Sequence, residues 1–186
     1  SGTNHDDTIH VSADGSELYF SLTDPVQGAE LWRSDGTADG TARVAALNAG
    51  PAPSDFEDLG ALTYFRANDS TGAARVWVTD GTEPGTRLLS GTVSALEHVV
   101  PVDILTANGK LWVVGGGSII VTDGTDAGTT VIPGIHTDPN GHPATGFIEF
   151  NGKVYFSDWT GQIFDRELWV SDGTVAGTHE LVNLNR

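Results

Sequence analysis

The stretch "ELWVSDGTVAGT", residues 167–178, is not unique in the chain. "ELWRSDGTADGT" occupies 30–41, "RVWVTDGTEPGT" 75–86 and "SIIVTDGTDAGT" 118–129. Self-similarity with a period in the forties, each period holding several short strands, is the mark of a propeller blade. A second landmark keeps the same register. An aromatic strand precedes each motif: "ELYF" at 17–20, "LTYF" at 62–65, "KLWV" at 110–113 and "KVYF" at 153–156. Before it lies a further short strand, clearest in "GFIEF" at 146–150. Asn151-Gly152 joins the two as a hairpin, since both residues tolerate positive φ, and Asn108-Gly109 and Asp14-Gly15 repeat the signal.

Each unit therefore reads as four antiparallel strands, and no segment keeps a helical period over the ~11 residues a helix needs. The reading is all-β: a four-bladed β-propeller with four antiparallel strands per blade. Half of an eight-bladed ring made by two chains and a β-sandwich are the alternatives. The 186 residues suit a single domain, 1–186, with blades at approximately 8–47, 56–90, 99–134 and 145–184.

The four segments resemble the ELWxxDGT repeat of large secreted or surface-anchored bacterial proteins. The match is specific in the first and last repeats and looser in the second, Arg75-Val76-Trp77; it is weakest in the third, where Ile120 replaces Trp. The resemblance implies an extracellular, propeller-like architecture. It implies no catalytic residues, because the family pattern is structural.

The chemistry of the motif agrees. Asp35, Asp80, Asp123 and Asp172 read as turn residues, each carboxylate accepting from a backbone N–H two residues on. Gly supplies positive φ, Thr re-enters the strand, and the second Gly-Thr lets the loop turn back without a side-chain clash. In a propeller these turns lie outward, each strand adding about 4.8 Å, so the four aspartates cannot share a cation. Leu and Trp alternate with polar neighbours, so one of them packs between blades.

The chain carries 25 acidic residues against 9 basic ones, a net charge of -16. That argues against nucleic acid and anionic membrane surfaces and favours cations, cationic partners or simply solubility in salt. With no Cys there are no disulfides and no thiolate chemistry. No apolar run approaches the ~20 residues of a membrane span, and the amino end lacks a signal-peptide pattern; the expectation is no membrane insertion, in the mature form or an excised domain of an exported protein.

Function is expected in the loops that differ between blades. Between second and third strands these hold Asp69, Asp158, Trp159 and Asp165, while the third blade has only "VGGGS", leaving a notch. The connection 133–146 is the longest, and there His136, Asp138, Asn140 and His142 alternate. Asp138 and Asn140 could supply oxygens to calcium. Trp159 is the candidate for stacking on a sugar. There is no G-x-S-x-G, H-E-x-x-H or P-loop. The expectation is a non-enzymatic extracellular or cell-surface module that binds or builds. It presents an acidic loop face to a protein or other cationic partner in a larger assembly, with calcium as a stabiliser. A lectin-like glycan binder and a hydrolase with axial carboxylates are the alternatives.

Overall fold

The computed structural model describes residues 9–24, 26, 28–47, 50–136, 144–159 and 166–183. The first blade comprises β1 (Ile9–Val11), β2 (Leu18–Asp24), β3 (Gly28–Ser34) and β4 (Ala42–Ala46). The second comprises β5 (Ser54–Leu59), β6 (Leu62–Asn68), β7 (Ala74–Thr79) and β8 (Arg87–Leu88). The third has β9 (Pro101–Ala107), β10 (Lys110–Gly115), β11 (Ser118–Thr122) and β12 (Thr130–Pro133). The fourth has β13 (Thr145–Phe150), β14 (Lys153–Trp159), β15 (Arg166–Ser171) and β16 (His179–Val182). Every sheet runs in sequence order with antiparallel neighbours, so the chain has the β-propeller fold class, in four four-stranded blades.

The hairpin signals act as their chemistry requires at two places. Asn108 and Gly109 sit at φ 52 and 67, Asn151 and Gly152 at φ 52 and 72, which is the primed turn that matches strand twist. Asp14-Gly15 differs: of this pair only Gly15 has positive φ. There the Asp14 carboxylate takes Ser12 Oγ at 2.8 Å and Ser16 N and Oγ at 3.0 and 2.7 Å, making a longer turn.

The chain divides into two compact units, 1–91 and 92–186, each containing two blades. The same packing recurs inside both. Because strand side chains alternate, each blade has two faces. In the first unit Tyr19, Leu31 and Ala45 of the first blade pack on Phe56, Phe65 and Trp77 of the second. In the second unit Trp112, Ile119 and Val121 of the third blade pack on Val154, Phe156 and Trp169 of the fourth. Completely burying a side chain such as Leu31 or Phe65 contributes about 1.5–3 kcal/mol. Within each unit one of the two motif residues enters the interblade core: Leu31 in the first blade, Trp77 in the second and Trp169 in the fourth, where Leu168 is exposed.

The third blade departs from the others where its sequence does. Trp112 stands at the position Tyr19 holds in the first blade and packs on the fourth. Its cross-strand partner is Val121, whereas Ile120 pairs with Val113 on the opposite face. The place of the motif Trp is thus taken by Ile120 and Val113, both buried, while Trp112 lies on the other face. The turn from β10 to β11 is Gly116-Gly117, both with positive φ, and the chain leaving β12 folds against it, Ile135 N donating to Gly117 O at 3.1 Å.

Candidate functional site

The repeated turn is a closed hydrogen-bond circuit. Asp172 Oδ1 accepts from Thr174 N at 2.9 Å and Thr174 Oγ1 at 2.7 Å. Thr174 Oγ1 in turn accepts from Gly177 N at 3.0 Å, and Thr178 Oγ1 donates to Thr174 O at 2.7 Å. Ser171 Oγ closes the ring on Thr178 Oγ1 at 2.6 Å. Asp35, Asp80 and Asp123 accept from Thr37, Thr82 and Thr125 in the same way. The Thr hydroxyl, and then the Thr N–H, hold all four carboxyls below the usual carboxylate range. A Cβ added at Gly40, Gly85, Gly128 or Gly177 would fall on the carboxylate of its own turn. The second Gly of the motif exists to admit that carboxylate.

Asp69, expected at a binding rim, is engaged in a similar turn. Its Oδ1 accepts from Thr71 N at 2.8 Å, Thr71 Oγ1 at 2.6 Å and Ala73 N at 3.1 Å, and Oδ2 pairs with Arg75 Nε at 3.1 Å. The Thr71 hydroxyl is the largest influence lowering its pKa. Asp69 shapes a loop and offers little to a partner.

Asp158 and His136 come together in the second unit, across the notch of the third blade. Asp158 lies on β14 with its carboxylate fully buried, whereas the His136 side chain is 48% exposed. The His136 backbone N–H reaches both carboxylate oxygens, at 3.2 and 3.3 Å, and Nδ1 lies 3.3 Å from Oδ2. Burial pushes the Asp158 carboxyl up, against hydrogen bonds from the Trp159 and His136 backbones that pull it down. His136 also lines a small pocket of about 30 Å³ with Ser118, Ile135 and the Gly115-Gly116-Gly117 turn.

Directly opposite Asp158 on β15 stands Glu167, also buried. Side chains at paired positions share a face with Cβ atoms about 5 Å apart. Glu167 opens the motif, and its type alone suggests only a repeat residue. In the first blade its counterpart Glu30 accepts from Trp32 Nε1 at 2.9 Å and Arg43 Nη1 at 3.0 Å. In the fourth blade Trp169 Nε1 has no partner among the described residues, so the Glu167 carboxylate is turned elsewhere. The signal that could have singled out Glu167 is its strand register with Asp158, which no linear motif carries.

Trp159 ends β14 instead of lying in the loop, and it is buried, so its ring offers no face for stacking. Asp138, Asn140, His142 and Asp165 lie outside the described residues. Among the described residues no three His, Asp or Glu side chains gather as a metal-binding group.

In the first unit a cleft of about 400 Å³ opens at the turn end of the blades, lined by Asp14, Glu17, Tyr19, Arg33, Asp58 and Asp80. Its polar groups answer one another. Arg33 Nη1 and Tyr19 Oη donate to Glu17 at 2.6 and 3.2 Å, and Asp58 takes His10 Nε2 and Thr63 Oγ1 at 2.8 and 2.6 Å. Burial, followed by the charge of Glu17, pushes the Tyr19 phenol up to about 12.

No family model matches the chain, and no curated protein matches it. Solved structures do. One is from a study of two prolyl endopeptidases, with a TM-score of 0.56 at 17% identity over 92% of this chain and 26% of that one. Another is an α-L-arabinofuranosidase from Clostridium thermocellum ATCC 27405, with a TM-score of 0.43 at 14% identity over 95% of this chain and 71% of that one. A third is the β-propeller domain of the Trilobed protease from Pyrococcus furiosus, with a TM-score of 0.49 at 11% identity over 97% of this chain and 84% of that one. The chain spans about a quarter of the length of the endopeptidase. The prolyl endopeptidase match, at a TM-score of 0.56, corrects the expectation of a non-enzymatic module: the same fold occurs in an enzyme, so the lack of a linear catalytic motif does not mark the chain as a non-enzyme.

Proposed function

We propose that the chain is a hydrolase in which His136 acts as general base and Asp158 is the positioning residue behind it. The supporting observation is the pair itself: a fully buried carboxylate bonded to Nδ1 of an imidazole that reaches solvent. A carboxylate can only accept from Nδ1 if the proton sits there, which leaves Nε2 bare and able to take a proton from water or a hydroxyl. Burial strengthens the arrangement, since a poorly solvated carboxylate is a better acceptor for the imidazolium that forms. The backbone N–H of His136 on both oxygens fixes the carboxylate's orientation.

The net charge of -16 favours neutral or cationic substrates over phosphorylated ones. The occurrence of the same fold in a prolyl endopeptidase structure supports the reaction class. The resemblance of the repeats to ELWxxDGT proteins supports an extracellular setting. The test is a panel of p-nitrophenyl glycosides and p-nitrophenyl esters. Turnover by the native chain should fall by roughly 10²–10⁴-fold in His136→Ala and in Asp158→Asn, with unchanged circular dichroism. Turnover indifferent to both substitutions, or no turnover of any member, would overturn the assignment.

A further inference from the structure

The notch of the third blade is a cavity inside the second unit. Gly115, Gly116 and Gly117 bring no side chains to the turn from β10 to β11, and the chain leaving β12 runs alongside them. Ile135 N donates to Gly117 O at 3.1 Å, so a backbone bond holds one wall. On the other side the turn is seated on the segment before β9, since a Cβ at Gly115 would fall 2.4 Å from Val100 O. The space left between them is the pocket of about 30 Å³ beside His136. Its side-chain walls are Val102, Val114, Ile135 and Ala144. The last three belong to the core between the third and fourth blades, whereas Val102 stands at the rim, 41% exposed. Among the described lining residues His136 is the one ionisable side chain and Ser118 the one hydroxyl.

Size and polarity restrict what can enter. A water-sized group needs at least about 10–15 Å³ of such space, so the pocket admits about two or three of them. A pyranose ring or an aromatic acyl group is too large, and a charged group would lose its hydration against aliphatic walls. We propose that this pocket holds the acetyl group of an ester, so that the substrates are esters of short acyl chains. The assignment rests on the hydrolase reading and narrows it. An acetyl methyl seated among Val102, Val114 and Ile135 leaves the acyl carbon beside His136, because all of them line the same small space. There Nε2 takes a proton from a water whose oxygen bonds to the acyl carbon. The C–O bond to the alcohol breaks, and the alcohol oxygen takes that proton back, giving acetic acid and the alcohol. The bond at Gly117 and the close seat at Gly115 keep the walls in place, so added methylenes meet side chains instead of space.

The test is kcat/KM of the native chain for p-nitrophenyl acetate, butyrate and benzoate, each corrected for spontaneous hydrolysis. Acetate should exceed butyrate at least about ten-fold, the scale on which an apolar pocket discriminates single methylenes, and His136→Ala should abolish the turnover behind that preference. Val102→Ala, a cut at the exposed rim, should reduce the acetate-to-butyrate ratio about ten-fold with unchanged circular dichroism. Val102→Leu, which intrudes on the pocket, should lower acetate turnover by about as much, an independent reading should Val102→Ala not fold. Equal turnover of the three esters, or a preference unmoved by both Val102 variants, would overturn the pocket assignment and leave the hydrolase reading standing. So would turnover of p-nitrophenyl glycosides without that of esters. No turnover of any ester or glycoside would overturn both.

Discussion

The indole of Trp112 lies 3.5 Å from the point where a Cβ on Gly173 would stand. The first unit repeats the relationship with Tyr19, whose hydroxyl is 2.8 Å from the Cβ position of Gly81. At these two turns the first Gly answers two demands, a positive φ (88 at Gly173) and room for an aromatic ring from the blade before it.

Replacing that glycine should cost folding. Gly173→Val forces a β-branched residue into left-handed backbone, a penalty of about 1–2 kcal/mol before any contact with Trp112 is counted. The expected result is a lowered Tm in calorimetry, with turnover per folded molecule unchanged. Lost turnover at native stability would show the turn to be part of a site.

The second Gly of the motif should be energetically coupled to its Asp. Gly177→Ala drives a Cβ into the Asp172 carboxylate and breaks its bonds to Thr174. Once Asp172→Ala has removed that carboxylate, the same substitution should cost less, giving a coupling on the order of 1 kcal/mol in a double-mutant cycle. Additive effects would contradict the geometry.

Acid should weaken the protein through these turns. The four turn carboxyls have folded pKa values below the unfolded value near 3.9. Their contribution is complete above about pH 4–5 and is lost as pH falls through the folded values. Denaturant midpoints should therefore be flat from neutrality to about pH 5 and drop below pH 4. Thr174→Val, which removes one hydroxyl donor, should shrink that drop.

Asp158 runs in the opposite sense. Its folded pKa is raised, so the stabilisation tied to its proton is present at low pH and is lost as pH rises through that value. Asp158→Ala should nonetheless destabilise at neutral pH by about 1–3 kcal/mol, because the His136 N–H loses its acceptor. Hydrogen exchange at the His136 amide should quicken, and Asp158→Asn, which keeps an acceptor oxygen, should restore most of the protection.

Tyr19 should ionise late in an alkaline titration. Its phenol is held up to about 12 by burial and then by Glu17. Tyrosinate absorbance should show a late component that Tyr19→Phe removes. A late limb unchanged by this substitution would refute the burial argument.

Much of this architecture was legible because the repeat states it locally. The period gave the blade, Asn108-Gly109 and Asn151-Gly152 gave their hairpins, and "VGGGS" gave the notch. What escaped depends on residues distant in the chain. Nothing within 133–146 reveals that His136 will meet Asp158, 22 residues on, because their contact exists only once the third blade packs on the fourth. The sequence places Trp159 in the loop beyond the aromatic strand, whereas pairing with Arg166 extends β14 to include it. The second Gly avoids a side-chain clash, as its place in the motif suggests, but only the structure shows that the side chain avoided is the carboxylate of its own turn.

Every blade is drawn from one unbroken run of chain, with its four strands hydrogen-bonded in the order they are made. No described sheet borrows a strand from a distant segment. A gene segment encoding one such run can therefore be duplicated or deleted in frame without breaking the ladder of any other blade, and the new unit arrives with its own turn and both adhesive faces. Proteins built from this repeat can change length by whole blades, and a newly copied blade needs no invention before it fits its neighbour.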